Sequence, residues 1–323
     1  MEQTAVEKKF GKYVMASMIT MFLQSAYSMI DGLFVSNLIG DTALSAVNVA
    51  WPIIAVVTAI GTGVGCGGAV MMSTKQGEGK NEESNIVRAN VILALLASSI
   101  VVTILFLILL TPLLKLMGAE GELLRLSQIY GRVMLTGGVL QILSCGLTPL
   151  LRNDNRAVSA MMIMVGGLFA NLGLDFVFMY VFHMGIGGAA GASLCAQLFT
   201  TVCCLMILCT KKTDPIHLSQ FMIRKEYWKK IFKTAVSPFG ISLTPSLLIL
   251  YHNVACLKFG GDLAVNAYAL ISSTVGSYRV LLIGVAEGIQ PLASYAYGAH
   301  DFHAIRKIRN KAVITAKIGR AHV

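Results

Sequence analysis

The chain has 323 residues, of which 55% are hydrophobic and 13% are charged, and its mean hydropathy is +0.71. A soluble protein could not cover this much apolar surface, so the composition excludes a water-soluble protein and indicates one that lies in a lipid bilayer. The net charge of +10 does not indicate a nucleic-acid partner, because the basic residues fall in alternate loops between apolar segments.

Eight apolar segments follow one another along the chain, and each is long enough to cross roughly 30 Å of hydrocarbon as a helix. The predicted helices cover residues 13–37, 44–72, 88–114, 123–149, 157–182, 187–210, 233–258 and 263–297. Strands of a membrane barrel would have only about 10 residues, with alternating polarity. The predicted fold class is therefore an all-α polytopic membrane protein with about eight transmembrane helices.

The positions of Lys and Arg predict the orientation in the membrane. These residues cluster before the first predicted helix and after the second, fourth, sixth and eighth. The positive-inside rule places such loops, and with them the N-terminus, in the cytoplasm. The first apolar segment lacks a small-residue cleavage motif at its end, so we expect it to remain as a span.

An internal repeat relates two parts of the chain at a fixed offset of 221 residues. The pairs at this offset are Gly40 and Gly261, Asp41 and Asp262, Gly63 and Gly284, Val64 and Val285, Gly67 and Gly288, Ser73 and Ser294, Gly77 and Gly298, and Arg88 and Arg309. Two copies with six helices between their starts have the same orientation, which makes them parallel repeats about an axis along the membrane normal. The repeat therefore predicts two six-helix lobes, of which the second is incomplete.

The repeat and the polar connections divide the chain into four predicted regions. They are a six-helix N-terminal lobe (1–210), a cytoplasmic linker (211–226), a partial C-terminal lobe with two helices and the start of a third (227–316), and residues 317–323. The last segment, KIGRAHV, is interpreted as a sequencing artefact, with a natural cytoplasmic tail as the alternative. We expect the 323-residue chain to be inactive on its own, because two lobes that rock against each other are both required.

Five segments in order carry a resemblance to a known family. They read SMIDGLFVSNLIGDTALSAVNVAWP, GTGVGCGGAVMMSTKQGEGKNEE, PLLRNDNR, NLGLDFVFM with the following turn GIGGAAGAS, and GVAEGIQPLASYAYGAHDFHAIRK. From Phe10 to Ala316 the chain resembles the multidrug and toxic compound extrusion (MATE) family, in particular its bacterial DinF/MepA-like branch. The resemblance implies twelve helices in two six-helix lobes around a central cavity.

The resemblance also implies a function. Members of the family export cationic, amphipathic compounds in exchange for protons or sodium, so we expect an antiporter in the bacterial cytoplasmic (inner) membrane. The alternative is a related flippase for lipid-linked sugars or peptidoglycan precursors. An enzyme is not expected, because the sequence contains no GxSxG, HExxH or paired-Asp protease pattern. We expect a monomer that binds small cationic substrates and lipid, with no cofactor and no nucleic acid.

Acidic residues inside the predicted spans are the candidates for ion coupling, because a charge in the hydrocarbon costs roughly 2.5–3.5 kcal/mol. Asp31 ends a polar stripe in the first helix, with Gln24 seven and Tyr27 four residues before it, while Asn171 and Asp175 share a face of the fifth. Two carboxylates in one poorly solvated site would titrate jointly and could carry a proton. The same oxygens suit sodium, and the alternative is that both acids only hydrogen-bond neighbouring helices.

The resemblance joins Asp31, Asn171 and Asp175 with a hydroxyl residue, here Ser193, into one network inside the N-terminal lobe. It implies no metal beyond sodium at the two acids and the asparagine. The candidates for the substrate cavity are Gln24, Tyr27, His252, Glu287 and Gln290.

Two of the cavity candidates keep alternatives. Glu287 either attracts a cationic substrate or neutralises Arg279 through an intermediary, since the two lie eight residues apart on one helix. His252 occupies the position of Asp31 in the second copy, and is either a titrating group or a histidine hydrogen-bonded between helices beside Asn253.

Overall fold

The computed structural model describes residues 3–209 and 220–321. Apart from short turns, the described residues are helical, as predicted. The helices are α1 (Gln3–Leu38), α2 (Asp41–Gly77), α3 (Asn81–Leu116), α4 (Gly121–Thr136), α5 (Gly138–Asn153), α6 (Ala157–Asp175), α7 (Gly185–Cys209), α8 (Lys225–Gly298) and α9 (Phe302–Ala321). Most of the predicted linker 211–226 and the last two residues of the predicted artefact 317–323 lie outside the described residues.

Helices α1 to α7 make up what we call the first lobe, and they correspond to the first six predicted spans. Within the described residues, five helices are long and apolar enough to cross a membrane, and the bent pair of α4 and α5 makes a sixth. The fourth predicted helix, 123–149, is wrong in one respect, because it bends by 57° between α4 and α5. The bend falls at Gly137 and Gly138, where a β-carbon would meet Leu194 and Thr103, respectively. Side chains of neighbouring helices therefore occupy the space that a side chain at these positions would need.

Helix α6 ends at Asp175 and continues as one π-helical segment, Phe176–Val181. The predicted fifth span, 157–182, therefore has the expected extent but a wider last turn. Such turns are rare and occur frequently at functional sites. The change of helical geometry follows directly after one of the predicted ion-coupling residues.

Helix α8 folds back on itself. With 74 residues it would be about 110 Å long if it were straight. However, the rings of His252 and Tyr268 are stacked with centroids 5.0 Å apart, whereas sixteen residues of straight helix would separate them by about 24 Å. The chain therefore reverses between these two residues. The predicted break at 258–263 falls in this interval, although the helical bounds run on through it.

The second lobe, which consists of α8 and α9, meets the first lobe at a seam where the backbones touch. A β-carbon on Gly67 would lie 2.7 Å from the Ala235 nitrogen, and one on Gly288 would lie 2.6 Å from Val14 Cα. Ala235 is Val14 shifted by 221 residues, and Gly288 is Gly67 shifted by the same amount, so the two contacts are reciprocal. The same relation joins Gly63–Phe239 with Gly284–Met18, and Gly77–Tyr295 with Gly298–Thr74. The seam is therefore a pseudo-two-fold interface that follows the repeat in the sequence.

One end of the bundle, which we call the basic end, holds the start of α1 and the α2–α3, α5–α6 and α8–α9 turns. At this end the Tyr13 hydroxyl donates to Asn155 Oδ1 at 2.7 Å, and the Gln76 amide donates to Asp154 Oδ1 at 3.2 Å. Four of the five regions that the sequence identified as rich in Lys and Arg thus lie together. The seam also reaches this end, through Gly77 and Gly298.

The seam predicts that a single added methyl group disrupts the contact between the lobes. We expect Gly67→Ala to lower the free energy of unfolding by about 1–3 kcal/mol, because backbone atoms of α8 cannot move aside cheaply. Thermal unfolding of the purified protein in detergent measures this. Gly240→Ala is the matched control, since a β-carbon there meets nothing within 4 Å. Equal melting temperatures for the two variants would contradict the seam.

Candidate functional site

Helices α1 and α6 pack against each other in the first lobe and bring the predicted polar residues together. Tyr27 and Asp31 are four residues apart on α1, and Asn171 and Asp175 are four apart on α6. Since residues at this spacing lie one helical turn apart on the same face, each helix presents two polar groups to the other. Asp175 is fully buried, and Asn171 is 6% exposed.

A chain of hydrogen bonds connects the two helices. The Tyr27 hydroxyl donates to Asn171 Oδ1 at 2.5 Å, and Asn171 Nδ2 donates to Asp175 Oδ2 at 3.1 Å. Ser193 of α7 lies within hydrogen-bonding reach of Tyr27. The structure thus brings together the four predicted ion-coupling residues and adds Tyr27, which the sequence analysis assigned to the cavity, as the group that links them.

The carboxyl groups of Asp31 and Asp175 face each other within hydrogen-bonding reach. The Oδ1 atom of each is buried, and no residue in the described part of the chain forms a hydrogen bond with it. The ion pairs recorded among the described residues include neither acid. Because two carboxylates only accept hydrogen bonds, this arrangement is complete when a proton or a cation lies between them. The oxygen atoms fit either a proton or a hard cation such as sodium.

Tyr130 is a neighbour of the acid pair that the sequence analysis missed. It lies on α4, is 5% exposed and is close to both Asp31 and Asp175. In the sequence, Tyr130 belongs to a stripe at helical spacing that also contains Ser127, Gly131 and Met134. In the structure these residues form the buried face of α4. Nothing in the sequence, however, indicated that this stripe faces α1 and α6 rather than another helix.

The other predicted cavity residues have no described contact with the acid pair. Gln24 is exposed on α1, and Gln290 is half-buried on α8. His252 is exposed on α8, where its Nδ1 lies 2.7 Å from the Leu248 carbonyl oxygen and its ring stacks on Tyr268. A role for these three side chains in substrate binding stays a prediction.

Glu287 has a partner that the sequence analysis did not anticipate. Its Oε2 atom lies 2.6 Å from Nη1 of Arg152, at the end of α5 in the first lobe. Arg279, the partner considered from the sequence, is exposed. Arg152 follows the fourth predicted helix and is one of the basic residues from which the sequence predicts the orientation, but it is buried. The two residues therefore form an ion pair across the seam.

A bundle of membrane-spanning helices with two parallel repeats and a buried acid pair is typical of a secondary transporter. The MatE family model matches residues 16–177. This match covers half of the chain and includes most of α1, all of α2 and the acid pair. The chain belongs to the MatE family.

Curated relatives share this family resemblance over almost the whole chain. The multidrug export protein MepA of Staphylococcus aureus is 25% identical over an alignment of 323 positions, which covers 98% of this chain and 69% of that protein. MepA of Staphylococcus saprophyticus is 24% identical over 298 residues, which are 92% of this chain and 66% of that protein. The chain thus spans about two thirds of the length of the relatives it matches.

Solved structures confirm the fold. A transporter of the MOP superfamily from Pyrococcus furiosus superposes with a TM-score of 0.92 at 25% identity, covering 98% of this chain and 70% of that one. A multidrug resistance MATE family transporter in an outward-facing conformation has a TM-score of 0.91 at 26% identity, with coverages of 98% and 70%. The predicted all-α polytopic fold and the predicted family are therefore both confirmed.

The network predicts a stability effect that is specific to the Tyr27 hydroxyl. We expect Tyr27→Phe to destabilise the first lobe by about 1–3 kcal/mol, because Asn171 Oδ1 then stays buried without a donor. The melting temperature in detergent measures this change. Tyr180→Phe removes a hydroxyl from a ring that is 54% exposed and should leave the melting temperature unchanged. If both variants melt together, Tyr27 does not link the two helices.

Proposed function

We propose that this chain functions in a cation-coupled antiporter that exports cationic, amphipathic compounds in exchange for protons or sodium. The observation that carries the proposal is the acid pair of Asp31 and Asp175, whose facing, buried oxygens have no recorded cationic partner among the described residues. The relatives named multidrug export protein support the class of substrate. The acid pair supports the coupling, since a proton or sodium ion would be bound and released there.

The acid pair couples to transport through its charge. Without an ion, two carboxylates in a poorly solvated site repel each other, so their site is most stable when it is open to water. A bound proton or sodium ion removes the repulsion and allows the surrounding helices to close. Tyr27 and Asn171 hold the Asp175 carboxyl in place through hydrogen bonds, so the ion meets an ordered site.

Helix α1 connects the acid pair to the seam between the lobes. Asp31 lies on the same continuous helix as Val14, which touches Gly288 of α8. The two positions are separated by about 26 Å of helix. A displacement of α1 that follows ion binding would therefore reach the contact between the lobes without any intermediate element.

The orientation and location are part of the proposal. The basic end carries the Lys-rich and Arg-rich loops, so the positive-inside rule assigns it to the cytoplasm, with the N-terminus. We place the protein in the bacterial cytoplasmic membrane as a multi-pass monomer without a cofactor. The seam would then close the cytoplasmic side, and the acid pair would lie in the outer half.

The second candidate is a flippase, whose cargo is anionic rather than cationic. The Pyrococcus furiosus transporter with a similar fold is described as having a binding pocket of reverse polarity that suggests a different function. In this chain the acid pair in the first lobe favours a cationic cargo instead. Export of lipid-linked sugars with no export of cations would support the flippase.

The acid pair predicts the result of an efflux experiment. We expect pump-deficient cells that carry the gene, read in full from its locus, to export ethidium under an imposed proton or sodium gradient. Asp31→Asn should reduce efflux to the level of cells without the gene, because the single remaining carboxylate of Asp175 cannot bind the ion as the two carboxylates do together. Asp41→Asn is the matched control, since Asp41 is exposed and outside the pair. Normal efflux by Asp31→Asn would contradict the proposal.

The coupling ion can be identified without transport. If the ion is sodium, we expect the melting temperature to rise in sodium chloride relative to choline chloride, since a ligand at about 100 times its Kd adds ~2.7 kcal/mol. If the ion is a proton, sodium has no effect, and binding of tetraphenylphosphonium releases protons into a weakly buffered solution. Either signal should disappear in both Asp31→Asn and Asp175→Asn. A signal that persists in both variants would exclude the acid pair as the site.

A further inference from the structure

An ion pair between one residue of each lobe lies inside the seam. Nη1 of Arg152 is 2.6 Å from Oε2 of Glu287, and the two side chains are only 7% and 24% exposed. On either side of Glu287, Gly284 and Gly288 touch the backbone of α1. The pair therefore lies where the lobes are closest, and the lobes cannot separate at the basic end without breaking it.

Arg152 depends strongly on this one partner. Its Nε is buried and donates to no acceptor among the described residues, while Nη1 donates to Glu287. Arg152 lies at the end of α5, next to the polar residues of the basic end. Once separated from Glu287, its guanidinium can therefore be hydrated from that end.

Glu287 is the more exposed member of the pair, at 24% against 7% for Arg152. It lies about 16 Å along α8 from Gly298, the residue that ends the helix at the basic end. A carboxylate at this depth is poorly solvated, so it needs another cation when Arg152 leaves. A lipophilic cation between the lobes can supply this charge, because Arg152 does not fully cover the carboxylate.

We propose that Glu287 is the residue that binds the cationic compound between the lobes, and that Arg152 occupies this carboxylate while the basic end is closed. The ligand class is a lipophilic monovalent cation, such as a quaternary phosphonium or a protonated amine. Arg152 and the compound compete for one carboxylate. Separating the lobes without a compound costs free energy because Glu287 loses its cationic partner, whereas a bound cationic compound replaces that partner. This inference rests on the proposed function and names the residue that selects its substrate.

Cys66 of α2 is a native reporter of the seam, because it is buried beside both Glu287 and Arg152. The experiment uses the chain with Cys66 as its only cysteine and the other six replaced by serine. The rate of alkylation by N-ethylmaleimide is measured by mass spectrometry, and binding of radiolabelled tetraphenylphosphonium is measured in parallel. In the starting chain we expect tetraphenylphosphonium to accelerate alkylation, and the neutral triphenylphosphine oxide to have no effect.

Two single variants distinguish competition from a structural contact. Both Glu287→Gln and Arg152→Gln should accelerate alkylation of Cys66 without any ligand. Tetraphenylphosphonium should bind at least about tenfold more weakly to Glu287→Gln, because the carboxylate is lost. It should bind more tightly to Arg152→Gln, because its competitor is lost. An ion pair that only holds the lobes together would instead change the affinity in the same direction in both variants, which would overturn the inference.

Further variants control for folding. The exchange Arg152→Glu with Glu287→Arg restores an ion pair, so the alkylation rate without ligand should return to that of the starting chain. Glu122→Gln breaks the exposed Glu122–Arg125 pair and should change neither readout. Unchanged tetraphenylphosphonium affinity in Glu287→Gln overturns the inference. If that variant of the gene nevertheless exports ethidium, the proposed function stands without it, whereas no export by the unmodified gene removes both.

Discussion

The structure depends on the close approach of two helix backbones at the seam. Six glycines face backbone or side-chain atoms of the other lobe in reciprocal pairs, and a β-carbon would lie 3.0 Å from its nearest neighbour at Gly63 and less than 3.0 Å from it at the other five. This closeness fixes the relative position of α1, α2 and α8. It also explains why Arg152 can reach Glu287, since a side chain at the seam needs only to cross the gap between touching helices.

The buried charges of the molecule fall into two kinds. Arg88 and Asp154 are 1% and 0% exposed, lie 3.5 Å apart and neutralise each other near the basic end. Arg152 and Glu287 do the same across the seam. The acid pair is different, because both members carry the same charge and each has an oxygen without a partner among the residues that the structure describes. The other described buried charges are paired with opposite charges, so the repulsion within the acid pair costs free energy. Binding of an ion from outside is the simplest physical explanation for this arrangement.

The sequence predicted those features that repeat locally or by a fixed offset. The lengths of the apolar segments predicted the spans, the offset of 221 residues predicted which glycines correspond, and the spacing of Asn171 and Asp175 predicted a shared face. Features that depend on which helix faces which could not be predicted. The bend at Gly137 reflects the side chains of other helices, and Glu287 looked like a partner of Arg279 because only sequence neighbours were visible.

The positions of the acid pair and the seam ion pair explain how one molecule could keep two cations from crossing independently. Asp31 and the residues that touch Gly284 and Gly288 belong to the same helix, α1. In the proposed antiporter, an ion that neutralises the acid pair and a compound that replaces Arg152 at Glu287 both act on the position of α1. The two events are therefore linked through one helix, even though their carboxylates lie in different halves of the bundle. Linkage of this kind is what exchange transport requires, since each cation then changes the affinity of the protein for the other.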